Sequence, residues 1–229
     1  MKLGIMQPYF LPYLGYFQLI KAVDKYVIYD DVNFIKGGWI NRNRILLNGN
    51  AFMINLPMQG ASPFKKINEI QVGLNKDKVL QTITHAYRKS PNFNDVFPLI
   101  SNIILFDNKN LALYISNSII QIAKYLQLNT EFVLSSEIKK DNNLKAQDKV
   151  ISICKILGAT SYLNAIGGEE LYNKTIFAKE NINLNFLKTK SIKYQQYNSE
   201  FISGLSILDI LMFNSVEEIN VMLDYYEII

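Results

Sequence analysis

Residues 2–32 read KLGIMQPYFLPYLGYFQLIKAVDKYVIYDDV. Lys2 to Gln7 has the short apolar pattern of a strand and runs into a loop punctuated by Pro8 and Pro12. From Tyr13 to Val23, apolar Leu14, Phe17, Leu19 and Ile20 return at helical spacing, with Gly15 in the first turn. Lys25 to Val32 is rich in β-formers and ends in the adjacent carboxylates Asp30 and Asp31. Strand, helix and strand in this order make a βαβ unit, whose two strands lie parallel in one sheet. Ligands of open α/β sheets bind beyond the carboxyl ends of the strands. That rule puts Gln7, Tyr9, Tyr13 and Gly15 at the mouth of the first strand, with Asp30 and Asp31 at the mouth of its neighbour. Free amides at the helix start favour an anion, and a glycine there lets a ligand approach the backbone. The same residues also suit a tight turn with aromatics as packing.

Outward from this unit, Trp39 to Leu47 and Ala51 to Met58 read as two strands around an Asn48-Gly49 turn. Ile67 to Val72 alternates as a strand would. Lys76 to Lys89 and Asn110 to Leu126 carry helical periodicity, and Pro91 and Pro98 mark breaks between them. Strands are expected at Glu131 to Leu134, Ser161 to Ala165 and Asn183 to Leu187. Helices are expected at Leu144 to Leu157 and after Gly167-Gly168 as far as Tyr172, and Ile207 to Phe213 starts a terminal helical segment. No linker, repeat or low-complexity stretch interrupts residues 1–229, so one domain is expected. The fold class is α/β: a mainly parallel, Rossmann-like sheet with a β-hairpin and a helical insert at about 75–127.

Apolar residues make up 49% of the chain and charged residues 19%, which excludes global disorder. No run of about 18 apolar residues exists to span a bilayer, and the N-terminus lacks the long apolar run of a signal peptide. No membrane insertion and a cytoplasmic location are expected. The net charge of +4 is scattered, with no basic block, which argues against a nucleic-acid groove and suits small anionic ligands. The single cysteine, Cys154, and single histidine, His85, close most of the catalytic menu. No internal disulfide and no Cys/His zinc site can form, and any histidine-based device must use His85. His85 projects nearly opposite the Val79, Ile83 and Ala86 face, either as a solvated side chain or as a cleft-lining base. Cys154 shares the apolar face of Val150, Ile151 and Leu157 and reads as core.

Asp30 and Asp31 could hold Mg²⁺, act as base, or pair with Arg42 or Arg44, and strand alternation sends their side chains to opposite sides. In the block Asn41-Arg42-Asn43-Arg44, alternation sets Arg42 and Arg44 on one side and Asn43 and Ile45 on the other. An arginine fork there binds carboxylate or phosphate, or pairs with surface acids. Ser135-Ser136 and Gly167-Gly168 read equally as anion contacts or as caps and turns. Ser206 and Asp209 have capping-box-like spacing. Tyr194, Gln196 and Tyr197 suit sugar contact or an exposed loop.

The run Gly4 to Ile20, with Tyr29-Asp30-Asp31-Val32, Gly38 to Ile45, Gly158 to Asn164 with Gly167-Gly168, and Leu205 to Asp209, resembles the WbqC-like family. The resemblance implies a bacterial protein of surface-polysaccharide or O-antigen sugar biosynthesis. The layout is similar, more distantly, to nucleotidyltransferase and pantothenate-synthetase-like folds, whose first strand leads to H-x-G-H. Here Tyr13-Leu14-Gly15-Tyr16 keeps the glycine and replaces both histidines, so the cationic phosphate contacts of that motif are missing. The function this resemblance implies is a transferase that acylates, or forms an amide on, a nucleotide-linked amino sugar, using an acyl donor. Asp30, Asp31 or His85 would accept the amine proton. Gln7, Tyr9, Tyr13, Gly15, Tyr16, Asn41, Arg42, Ser135, Asn164 and Gly167 would hold substrate. The alternative is a non-catalytic binding or assembly protein of the same pathway. No metal ligand set is assigned, and neither a cofactor nor an oligomeric state is named by the sequence.

Overall fold

The computed structural model describes residues 1–197 and 200–229. The opening unit is β1 (Lys2–Met6), α1 (Leu14–Lys21) and β2 (Lys25–Ile28). A hairpin follows, β3 (Arg42–Leu47) and β4 (Asn50–Asn55), then a small ladder of β5 (Met58–Gln59) and β6 (Gln71–Val72). Three helices come next: α2 (Asp77–Tyr87), α3 (Phe93–Leu105) and α4 (Leu111–Tyr125). The chain then returns through β7 (Glu131–Leu134), α5 (Ala146–Ile156), β8 (Ser161–Ala165), α6 (Lys174–Lys179) and β9 (Asn183–Thr189). It ends with α7 (Ile207–Phe213), α8 (Val216–Leu223) and β10 (Tyr226–Ile228).

Six strands form the central sheet in the order β7-β2-β1-β8-β9-β10. All neighbours are parallel except β10, which runs antiparallel to β9. This is a doubly wound order, and its direction of winding reverses between β1 and β8. Helices cover both faces, so central strands are buried throughout and lack a polar face. On one face Leu3, Ile5, Val27, Leu184 and Phe186 pack with Val150, Ile153 and Cys154 of α5 and Phe177 of α6. On the other, Tyr26, Ile28, Leu163 and Leu187 pack with Phe17 and Ile20 of α1 and with the apolar faces of α2, α3 and α4. Cys154 is fully enclosed, and burial pushes its thiol up to about 12.

The loop after β1 is fixed by the hairpin and by α7. The N–H of Phe10 donates to the carbonyls of Trp39 and Ile40 at 3.2 and 3.1 Å. The buried Asn43 side chain donates through Nδ2 to the carbonyls of Phe10 and Leu11 at 3.2 and 2.7 Å. Ser206 Oγ donates to the same Leu11 carbonyl at 2.7 Å, and the Ile207 N–H donates to Pro12 at 2.8 Å. These ties hold Leu11 at φ +44°, a left-handed conformation that a leucine adopts only under constraint. The hairpin turn needs no such support, because Asn48 and Gly49, at φ +50° and +74°, are the residue types that such a turn favours.

Several elements depart from the sequence expectation. Pro98 lies inside α3 and does not break it. The lost bond to the carbonyl four residues back is outweighed by burial of Val96, Ile100, Ile103 and Ile104 along one stripe. Ile67 to Val72 is a 3₁₀ turn over Ile67–Glu69 followed by β6. Its buried residues, Ile67 and Ile70, are three apart, a spacing that puts them on one side of a tight helical turn but on opposite faces of a strand. Short α6 and β10 were not expected; α8, within the terminal helical segment, starts with a capping box between Ser215 and Glu218.

Asn43→Ala leaves the Phe10 carbonyl without a side-chain donor. We expect a loss of about 2 kcal/mol, the cost of an unsatisfied buried group plus lost packing. Urea unfolding checks it: the midpoint falls while the slope is unchanged.

Candidate functional site

The braced loop delivers Tyr9 and Tyr13 to the start of α1. Tyr13 is extended there, at φ −72° and ψ 170°, and no side chain caps the helix. The Tyr13 ring lines two cavities. One, of about 180 Å³, lies between Tyr13, the end of β9 and the following chain, with Lys190, Tyr194 and Phe201 in its lining. The other, of about 230 Å³, is bounded by Tyr9, Pro12, Tyr13, Trp39, Asn43 and Arg44. Tyr13 and Gly204 line both, so the two are lobes of one depression at the carboxyl edge of the sheet.

Its chemistry is aromatic and cationic. Tyr13 and Trp39 are each 41% exposed, an unusual state for large rings. The Arg44 guanidinium lies 5.8 Å from the centre of the Trp39 ring and donates from Nη2 to the Gly204 carbonyl at 3.0 Å. Its Nε is buried and has no acceptor among the described residues. Neither Arg44 nor Lys190 belongs to an ion pair among the described residues. Burial raises the Tyr9 and Tyr13 hydroxyls above their ordinary value, so both stay protonated and can donate. Lining residues of both lobes include no carboxylate, imidazole or thiol.

Gly15 sits beneath this depression. A Cβ there would meet the Tyr13 ring at 2.4 Å and Thr189 Oγ1 at 2.5 Å. The glycine gives its space to the Tyr13 ring and to Thr189, whose hydroxyl donates to Gln18 Oε1 at 2.7 Å. Gln18 is itself buried and donates to the Met222 and Tyr225 carbonyls, tying α1 to the C-terminal elements.

Asp209 organises the opposite wall. Its carboxylate accepts from Tyr87 OH at 2.8 Å, Tyr194 OH at 2.6 Å and Gln196 Nε2 at 2.8 Å. Burial pushes its pKa up, and these donors only partly offset that push. Ser206, paired with Asp209 in the sequence, caps α7 by accepting from the Leu208 N–H at 3.2 Å.

The other sequence candidates fall in different places. Tyr16 is buried below the loop and donates to the Gln7 carbonyl at 2.9 Å. Asp30 accepts from the Ser136 amide and hydroxyl at 2.9 and 2.6 Å and from Asn68 Nδ2 at 3.2 Å. Asp31 pairs with Lys140 at 2.9 Å and Lys149 at 3.0 Å, beside buried Ser135. Burial pushes the Asp31 carboxyl up, but the Ser135 hydroxyl and the two ammonium groups outweigh it and hold it below its ordinary value. Asn164 accepts from the Ala165 N–H at 2.8 Å and packs against Gly168, while Gly167 faces open space. Asn41 and Arg42 line a separate cavity of about 460 Å³. His85 is exposed on α2. The structure therefore brings Tyr9 and Tyr13 together, and it sets Asp30, Asp31 and His85 away from their lobes. Trp39, Arg44 and Lys190 were not chosen from the sequence as site residues. Arg44 carried a signal in its shared face with Arg42, and Lys190 in its place just past a strand's carboxyl end. Among the described residues, no cluster of three or more His, Cys, Asp or Glu could hold a metal, and no helix is long and apolar enough to cross a membrane.

Gly15→Ala forces the Tyr13 ring or Thr189 to move. A loss of about 1–3 kcal/mol is expected from overpacking, read as a lower thermal midpoint. Asp31→Asn strands two buried ammonium groups and costs about 3–5 kcal/mol near neutrality. The sign with pH follows from the lowered carboxyl. Asp31 stabilises the fold above its ordinary value of 3.8, and that contribution disappears as pH falls through its lower folded value. Acid titration of stability checks this: the variant has the shallower acid limb.

No solved structure matches the chain. The uncharacterized protein Rv1507c of Mycobacterium tuberculosis is 27% identical over 215 residues, which cover 92% of each chain. The profile of the WbqC-like protein family matches residues 7–221, a span that holds the β1 loop, both lobes and the Asp209 network. The chain belongs to the WbqC-like protein family.

Proposed function

We propose that this chain binds a nucleotide-linked sugar in the two lobes beside Tyr13, in the cytoplasm, as part of bacterial surface-glycan (O-antigen) assembly. The observation that carries this reading is the lining itself: the exposed Tyr13 and Trp39 rings with Arg44 and Lys190, cations that have no acidic partner among the described residues. Flat rings give sugars and bases a stacking surface, and Arg44 and Lys190 suit the diphosphate between them. The uncapped start of α1 adds amide donors of the same sign. Each lobe alone is smaller than the roughly 300–1,000 Å³ of most ligand sites, while the two together enter that range.

The acyl-transferring or amide-forming reaction is the second reading. With no base in the lobes, it would work by holding an already neutral amine against an activated acyl group, with the α1 amides facing the developing oxyanion. The absence of a carboxylate, imidazole or thiol from the lining supports binding first and chemistry second.

Thermal stabilisation by a panel of nucleotide-linked amino sugars tests the binding reading. A ligand at 100 times its dissociation constant adds about 2.7 kcal/mol to the native state. We expect a clear rise in midpoint for at least one compound, and at least tenfold weaker binding in Tyr13→Ala and in Arg44→Gln. No rise with any nucleotide sugar at millimolar concentration sinks the reading.

A further inference from the structure

We infer that the cavity between Phe34 and Pro63 is a second ligand site, one that takes a phosphorylated small molecule. This inference does not depend on the sugar site. At about 460 Å³ the cavity is larger than either lobe beside Tyr13. It is lined by Lys36 and Arg42 and by no carboxylate.

Arg42 is held in place without being neutralised. Its Nε donates to the Gly38 carbonyl at 3.0 Å, and its Nη2 donates to the Gly37 carbonyl. Gly37 supplies that carbonyl from a left-handed turn, φ +78°, closed by the Gly38 N–H on the Ile35 carbonyl at 3.2 Å. Carbonyls satisfy guanidinium donors but carry no compensating charge. Lys36 enters no ion pair among the described residues. Two uncompensated cations in one cleft repel each other, and an anion between them removes that cost. Ser62 accepts from the Phe64 N–H at 3.2 Å, which leaves its own O–H to donate. Lys36, Arg42 and the Ser62 hydroxyl therefore offer donors to one space, beside the side-chain amides of Asn41 and Asn55, and charged donors are what a phosphate requires. Buried Phe34 and half-buried Met58 give the same cavity an apolar floor. A bare anion would leave that floor wet, so an organic phosphate fits better than an inorganic one.

The placement adds a geometric point. Arg42 and Arg44 share a face of β3, two residues apart, roughly 7 Å along the strand. Arg42 serves this cavity and Arg44 the Tyr13 lobes. Two ligands could therefore lie side by side along one strand.

Calorimetric titration with phenyl phosphate and with inorganic phosphate tests the site, since a nucleotide probe would share its chemistry with the ligand proposed for the Tyr13 lobes. Phenyl phosphate is expected to bind saturably and at least fivefold tighter than inorganic phosphate. Lys36→Gln and Arg42→Gln should each weaken it at least tenfold, while Arg44→Gln leaves it within twofold. Arg42→Gln also removes two structural hydrogen bonds, so Lys36→Gln decides if the former fails to fold. Unchanged binding in Lys36→Gln overturns the inference. So does loss in Arg44→Gln alone, which would move the phosphate to the Tyr13 lobes and leave the sugar reading intact. Equal affinity for the two probes overturns the organic-phosphate assignment. Phenyl phosphate binding that survives while every nucleotide sugar fails sinks the sugar reading only.

Discussion

The side-chain amide of Asn43 reaches out of β3 to the carbonyls of Phe10 and Leu11, and much of the carboxyl edge of the sheet follows from that contact. A loop between a strand and a helix has carbonyls that neither element can satisfy. Here the hairpin and the start of α7 supply the donors, from more than 30 and more than 190 residues away in sequence. The result is a loop with little freedom of its own. It sets the direction of Tyr9, the pitch at which α1 begins, and the position of Tyr13 relative to Trp39 and Arg44.

The protein buries two kinds of carboxylate in two ways. Asp31 sits between Lys140 and Lys149 and stays charged, at the price of a network that joins the end of β2 to α5 and the loop before it. Asp209 has no cation and is held by two tyrosine hydroxyls and a glutamine amide. The first is a charged clamp, sensitive to loss of any member. The second is a neutral-donor cradle that fixes Tyr87, Tyr194 and Gln196 against α7. Asp30, beside Asp31 in the chain, follows the second pattern with Ser136 and Asn68. Adjacent carboxylates thus do different structural work because the backbone presents them to different neighbours.

Much of the fold was legible in residues 2–32, because a strand, a helix and a strand with continuous apolar runs admit few arrangements. Ser161–Ala165 and Ile207–Phe213 are visible at their true bounds for the same reason of clean periodicity. Pro98 misled because a local cost was read without the tertiary burial that overrides it. Ile70 and Val72 alternate as in a strand, while Ile67, three residues before Ile70, belongs to a tight helical turn, and so short a window does not separate the two periods. Tyr9 and Tyr13, which the crevice rule puts at the carboxyl edge from chain order alone, line one cavity there. Lys190 and the chain after β9 were not legible, since an irregular segment has no period and its position depends on Asp209, Gln196 and Tyr87, which are distant in sequence. Arg44 was within reach, but choosing between two arginines on one face needs the loop at Trp39, whose path no local pattern encodes.

The Tyr13 ring lines both lobes and rests over a glycine. A shift of that ring would change a wall of each lobe at once. An occupant of the Lys190 lobe that moved it would alter binding beside Trp39 by the same factor as the reverse effect, because coupling between sites is reciprocal. The two halves of a ligand that spans the lobes meet one shared side chain.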